Sequence, residues 1–277
     1  MFDYNFLYLL SPLHTGGTTQ EGNLVGIARE SHTNFPYIPS SSIRGRIRAS
    51  VEDKELREKL FGTELPNSTN SNNDEEFAGL KQGCIWIGDA SILWIPIASL
   101  SHGVVWISSP MLLRRWTKFD AEALANIPPE YSCNFYRQDS SVFLKDAILK
   151  ATDLKPWEGW QDFVPQTPQA SSITKVLVLP DQHCATLIQM SLWRQVKINL
   201  TESKSVKDGS FRYEEAIPPD TLMHFPWGIN SAAKNNSDAR GKFEQVLTSN
   251  EVIQIGGQES LGRGFVQQWL GKQQAKV

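Results

Sequence analysis

Aromatic and apolar residues crowd positions 2–10, and turn chemistry follows at Ser11-Pro12 and Gly16-Gly17-Thr18-Thr19, a pattern that predicts a strand and then a glycine loop. The chain stays polar through Gly22 and Gly26 to Arg29-Glu30-Ser31-His32-Thr33, and the prolines of Phe35-Pro36-Tyr37-Ile38-Pro39 then hold the backbone extended. Ser40-Ser41-Ser42 is a good N-cap set. Beyond it Ile43, Ile47, Val51, Leu56 and Leu60 fall at helical spacing with one phase slip, and Gly62 ends the run, which predicts a helix. From Pro66 to Glu76 almost nothing is apolar, so residues 66–80 are expected to form a mobile surface insertion, with little to bury against the entropy of ordering it.

Gly83–Ile97 is β-branched and aromatic, broken by Gly88-Asp89, and Gly103–Ser108 resumes the pattern, which predicts central strands. Ser109-Pro110 reads as an N-cap followed by an N1 proline, starting a helix through Trp116. Residues 120–172 mix short apolar groups with Pro, Gln and Trp in no sustained period and are expected to be a loosely structured insertion with at most one short helix. Thr174–Pro180 and Met190–Leu200 read as strands, and the polar tip Lys204–Gly209 predicts a hairpin over 196–215. Val252–Ile255, a glycine loop at 256–264 and a strand over Phe265–Leu270 close the pattern. Few helices among many strands predict an α+β fold with a sheet packed on one side.

The 277 residues are 40% apolar and 21% charged, a globular balance that excludes disorder or a coiled coil for the chain as a whole. Lys and Arg number 27 against 30 Asp and Glu, a net charge of −3, so any polyanion site must be local. Cys84, Cys133 and Cys184 are an odd number at wide spacing, which fits neither a disulfide framework nor a CxxC ribbon and suits a reducing compartment. No window approaches the roughly 20 uninterrupted apolar residues of a membrane span. A soluble, cytoplasmic protein with no membrane partner is expected.

Candidate chemistry is scattered. Gly256, Gly257, Gly262 and Gly264 would let the backbone approach a ligand and aim N–H groups at a phosphate, with Arg263 as a fork for its oxygens; the alternative is a bulged hairpin that needs positive φ. No GK[ST] is present and a strand follows, so neither a Walker A nor a Rossmann fingerprint fits. A nucleotide-binding enzyme using this loop stays an outside alternative. Arg44 and Arg48 share one helix face beyond Ser41 and Ser42, where free N–H groups add an anion site, or they line a solvated face. Arg114, Arg115 and Lys118 carry the same ambiguity. His14 enters the first glycine loop, where an imidazole serves acid–base chemistry, holds a phosphate, or merely bonds a turn. Arg29, Glu30 and His32 match no metal spacing; an Arg–Glu pair fixing a loop is expected. Tyr213-Glu214-Glu215 ends the hairpin, its carboxylates open to a divalent cation or to strand decoration.

Taken in order, S-P-L-H-T-G-G, R-E-S-H-T-N-F-P-Y-I-P-S-S-S-I-R-G-R-I-R, G-C-I-W-I-G-D-A-S-I-L-W-I-P-I-A-S-L, V-V-W-I-S-S-P-M-L-L-R-R-W, F-R-Y-E-E-A-I-P-P-D-T-L and I-Q-I-G-G-Q-E-S-L-G-R-G-F resemble the RAMP superfamily. Within it they are similar to the repeating backbone subunits of Cmr-type (type III-B) CRISPR effectors. The resemblance implies a single RAMP domain over 1–277 with a modified ferredoxin-like (RRM-like) palm, insertions and a β-hairpin thumb at 196–215. It implies copies of the chain stacked on a guide RNA beside other effector subunits, with target RNA read by base pairing in antiviral defence. Ser41, Ser42, Arg44 and the Gly256–Gly264 loop would then meet guide phosphates, with the thumb interrupting the guide–target duplex.

One departure separates two readings. The family carries an aspartate between its His-Xaa-Gly turn and its R-E-x-H-T element for metal-dependent cutting by the ribose 2′-hydroxyl, and Gln20–Gly26 has none. Glu21 is longer and placed earlier, and Asn23 has no charge with which to hold a cation or take a proton. In the first reading the protein is a scaffold that needs no cofactor to bind RNA. In the second it is also an endoribonuclease using His14, Glu21, Tyr213 and Glu214 with Mg²⁺ or Mn²⁺, whose ligands the sequence does not assign.

Overall fold

The first strand, β1 (Asp3–Leu9), is buried along its whole length because both of its faces meet apolar layers. A computed structural model describes residues 3–21, 24–63, 81–119, 127–230 and 238–271, with only the backbone described for 18–21. The insertion expected at 66–80, residues 120–126 of the second one, and Asn23 lie outside the described residues. Alternation along β1 sends Leu7 and Leu9 to one apolar cluster and Tyr4, Phe6 and Tyr8 to another.

β1 runs antiparallel between β14 (Leu222–Ile229) and β16 (Phe265–Leu270). β15 (Val252–Gln254) lies outside β16; beyond β14 come β5 (Ser91–Ser99), β6 (Gly103–Ser108), β11 (Val176–Val178), β7 (Ser132–Cys133) and β10 (Lys155–Pro156). β4 (Ile85–Ile87) also pairs with β14, and the hairpin of β8 (Val142–Leu144) and β9 (Ala147–Leu149) hangs from β5. A second sheet holds β12 (Trp193–Lys197), β13 (Arg212–Ala216), β3 (Leu24–Ile27) and β2 (Gly16–Glu21), in that order. Thus the stretch opening at Gly16-Gly17 is a strand, not a loop.

The first cluster takes Ile43 and Ile47 from α1 (Ser40–Ala49), and Leu60 and Phe61 from α2 (Lys54–Phe61). Leu187 and Ile188 of α4 (Asp181–Ser191) and Phe243 and Leu247 of α5 (Asp238–Ser249) complete it. The second cluster is aromatic: Trp94, Trp106 and Phe163 pack with Leu113 and Trp116 of α3 (Pro110–Thr117). The α+β architecture matches the expected class, but the sheet is covered on both faces. The second cover comes from α3 and the chain after it, whose tryptophans and phenylalanines each remove a large apolar area from water.

Sequence periodicity located α3, with Ser109 Oγ accepting from Leu112 N–H and Pro110 in the first turn. It merged α1 and α2, because the phase slip at Val51 is a real break, closed by Asp53 Oδ1 accepting from Glu55 and Leu56 N–H at 2.9 and 3.2 Å. The serines do not cap α1: Pro39 occupies that position, and Ser40 N–H donates to Asp89 Oδ1 at 2.6 Å. Met190 and Ser191 finish α4 rather than begin a strand. Residues 127–172 hold only short strands and two 3-10 turns, Gly159–Phe163 and Pro168–Ala170. No helix among the described residues is long and apolar enough to cross a membrane.

Candidate nucleic-acid interface

Strand β13 organises the small sheet. In register across it lie Glu21, Leu24, Tyr213 and Val196, and next to them Gln20, Val25, Glu214 and Gln195. The backbone of Glu21 is therefore two strands from Tyr213. Alternation puts Glu214 on the opposite side from Tyr213 and Glu215, and both glutamates are buried.

Glu214 is enclosed by cations. Lys197 Nζ lies 3.1 Å away, Arg212 Nη2 3.2 Å and Arg263 Nη1 3.1 Å, and Gln258 Nε2 donates at 2.9 Å. Burial pushes its carboxyl up, but Lys197, Gln258 and Arg263 outweigh burial and hold it below the usual carboxylate range. Arg263 is itself buried, donates also to Gln195 Oε1 at 2.5 Å and to Gln258, and stacks 4.7 Å over the Trp193 ring. The guanidinium expected to fork a phosphate is thus already committed. On the other side Glu215 takes Arg29 at 2.7 Å and Arg194 at 2.9 Å. Glu30 does not pair with Arg29; it accepts both arms of Arg115, at 2.7 and 2.9 Å. Burial raises the Glu30 carboxyl, and Arg115 and Thr33 bring it down overall.

The glycine loop joins β15 to β16 and docks on the first turn. Gly257 N–H donates to the His14 carbonyl at 2.9 Å. Gly256 and Gly264 have φ of +83° and +77°, and a Cβ there would stand 2.4 Å from His14 O and 2.0 Å from Ile255 O. These two are required by the hairpin itself. Gly262 has open space, and a Cβ on Gly257 would meet only the His14 ring. His14 Nδ1 lies 2.7 Å from the Glu215 carbonyl oxygen. Because a carbonyl can only accept, Nδ1 carries a proton, so in the neutral imidazole it is Nε2 that has the free lone pair.

Arg44 and Arg48 do not face an open groove. Arg44 bonds the Phe61 carbonyl and Arg48 Nη1 the Gly62 carbonyl at 3.0 Å, satisfying orphan acceptors at the end of α2. Ser41 is exposed and Ser42 half-buried. Of the cations in the two clusters singled out from the sequence, the open ones are Arg46, which lies off the face shared by Arg44 and Arg48, with Arg114 and Lys118; none has a partner among the described residues, and exposure on the outer helix face marks them. Sequence reasoning also missed a cavity of about 490 Å³ lined by Arg29, Arg194, Asn34, Gln189 and Glu215, since its residues converge from three distant segments.

Among the described side chains, which leave out that of Glu21, the donor set near His14 does not fit a divalent cation. No group of three or more His, Cys, Asp or Glu among the described residues could hold one, and the carboxylates of Glu214 and Glu215 are already taken by arginine and lysine.

Relatives share the fold of the chain over nearly its whole length. The sequence is 30% identical over 283 aligned residues to the CRISPR system Cmr endoribonuclease Cmr4 of Pyrococcus furiosus, covering 94% of this chain and 92% of that protein. The fold is similar to a crystal structure of oligomeric Cmr4 from Pyrococcus furiosus, with TM-score 0.70 and 23% identity over 99% of this chain and 100% of that one. It is similar also to a cryo-electron microscopy structure of type III-B Cmr-beta bound to cognate target RNA, with TM-score 0.72 and 18% identity over 98% and 97%. The RAMP superfamily pattern matches residues 6–267, and with these motifs and this two-sheet fold the chain belongs to the RAMP superfamily, in its Cmr-type branch.

Proposed function

We propose that the chain is a backbone subunit of a type III-B CRISPR ribonucleoprotein, acting in the cytoplasm in antiviral defence. The observation that carries the reading is the alignment with Cmr4 over 94% of the chain. In this reading 1–277 form one RAMP domain, and neighbouring copies and sibling subunits assemble along a guide RNA that pairs with target RNA. Ser41, Ser42, Gly257 and Gly262 approach guide phosphates through backbone and hydroxyl groups, with Arg46 as the mobile counter-charge. Arg44, Arg48 and Arg263 hold that surface in shape. The β12–β13 hairpin is the thumb: Val196, Phe211 and Tyr213 are exposed on it, and the two rings meet edge to face at 5.1 Å, a surface on which bases can stack. Mobility-shift titration of guide RNA tests this. Saturable binding whose log K falls linearly with log salt is expected, and binding of a mononucleotide with none of RNA would overturn it.

A second reading adds cutting of target RNA. It is favoured by the name of the Pyrococcus furiosus relative and by the His14 tautomer, whose Nε2 lone pair can take the 2′-hydroxyl proton as the 2′-oxygen attacks phosphorus and the 5′-oxygen leaves. The assembled complex is incubated with guide-matched target in Mg²⁺ or Mn²⁺, and wild type is compared with His14→Ala and Glu21→Gln. Evenly spaced cuts lost in either variant establish the nuclease; stable target binding without cuts leaves a scaffold.

A further inference from the structure

Away from the small sheet, the aromatic face of the large sheet is not filled. Between β1, β16, α3 and the segment after the 3-10 turn Gly159–Phe163 lies a cavity of about 560 Å³, within the size range of small-molecule sites. Its walls are rings. Tyr4 stands at right angles to both Phe6 and Trp116, with centroids 5.3 and 6.4 Å apart, and Trp269 leans on Phe6 at 5.3 Å and 31°. The indole nitrogens of Trp116 and Trp269 are closed off and have no hydrogen-bond partner among the described residues. What these tryptophans offer a ligand is therefore carbon π surface and not a donor.

The polar side chains that line it are the Asp162 carboxylate, the amides of Gln161, Gln166 and Gln169, and the Thr167 hydroxyl, which is buried with no hydrogen-bond partner among the described residues. Among the described residues the Asp162 carboxylate has no ion-pair partner, and no described Lys, Arg or His lines the cavity. An aromatic enclosure rimmed by a free carboxylate, with no cation among its described lining residues, disfavours phosphate and attracts a positive ligand with an aliphatic stem.

We propose that this cavity binds a small organic cation of the polyamine class, its methylenes and one ammonium against the rings and a second ammonium at Asp162. No bond is made or broken. The site is separate from the small sheet, so it stands or falls apart from the RNA reading. The test is calorimetric titration of the RNA-free full-length chain with spermidine and putrescine. One saturable site is expected, weakened about tenfold by Asp162→Asn and removed by Trp269→Leu. Glu202→Gln, at the distant hairpin tip, should leave it unchanged. Asp162 is exposed on a turn, so its variant reports even if Trp269→Leu unfolds. No saturable heat, or equal binding by wild type and Asp162→Asn, or equal weakening by Glu202→Gln, overturns the proposal. Tighter binding of arginine amide than of spermidine would replace the free ligand by a partner's basic side chain, and tighter binding of adenosine would overturn the cation class.

Discussion

The two sheets are held by different physics. In the large sheet Leu7, Leu9, Ile95, Ile107 and Phe225 are fully buried among other apolar side chains, and burial of each such side chain is worth about 1.5–3 kcal/mol. In the small sheet the buried residues at the centre are Glu214, Glu215 and, from the neighbouring loop, Arg263. Hydrophobic burial is non-directional and tolerates repacking, whereas a buried ion network demands every partner and fixes one geometry. The difference shows how a small sheet can be held in one geometry without a large core of its own.

The contrast is sharpest at Glu214. Glu214→Ala strands Arg263 with no carboxylate, and about 3–5 kcal/mol of unfolding free energy is expected to vanish in urea titration; a loss below about 1 kcal/mol would mean water replaces the partner. The pH dependence has a definite sign. The folded carboxyl is held below its ordinary 4.5, so its contribution is full above that value and is lost as pH falls through the lower folded value. Wild type should therefore weaken on acidification below about pH 4.5, and Glu214→Gln should show a flatter profile there. Gly264→Ala places a methyl on the Ile255 carbonyl at positive φ and should cost at least about 2 kcal/mol, read by thermal melting. In the large sheet Ile107→Val removes one buried methyl and should cost about 1 kcal/mol, with no change in acid profile. Arg46→Ala should leave stability within about 0.5 kcal/mol and lower the salt slope of single-stranded RNA binding by about 0.7; an unchanged slope would take Arg46 out of the interface.

Legibility followed the same division. β1, β5, β6 and α3 could be read because each is specified by neighbours along the chain: alternation, β-branching, and the Ser109-Pro110 start. α5 carried a usable signal in Ala239, Phe243 and Leu247, each four residues from the next, masked by the polar residues between them. α4 ended in Met190-Ser191, which abut a strand and were read into it. At the site, His14, Glu214 and the glycine loop were named and do come together. Their roles were not legible, because Arg263 meets Glu214 across 49 residues and Arg44 meets the end of α2 only once the helix breaks at Val51. A cation beside glycines looks the same in sequence whether it awaits a phosphate or already has a carboxylate.

The position of β1 sets a timetable. Its two hydrogen-bonding edges are taken by β14 and β16, and Asn5 reaches Gln268 across 263 residues. During synthesis, at about 5–20 residues per second, this apolar strand waits many seconds with both edges unpaired. Long-range closure of this kind is the topology that slows folding in general, and an unpaired strand edge is the kind of surface that invites association with other chains.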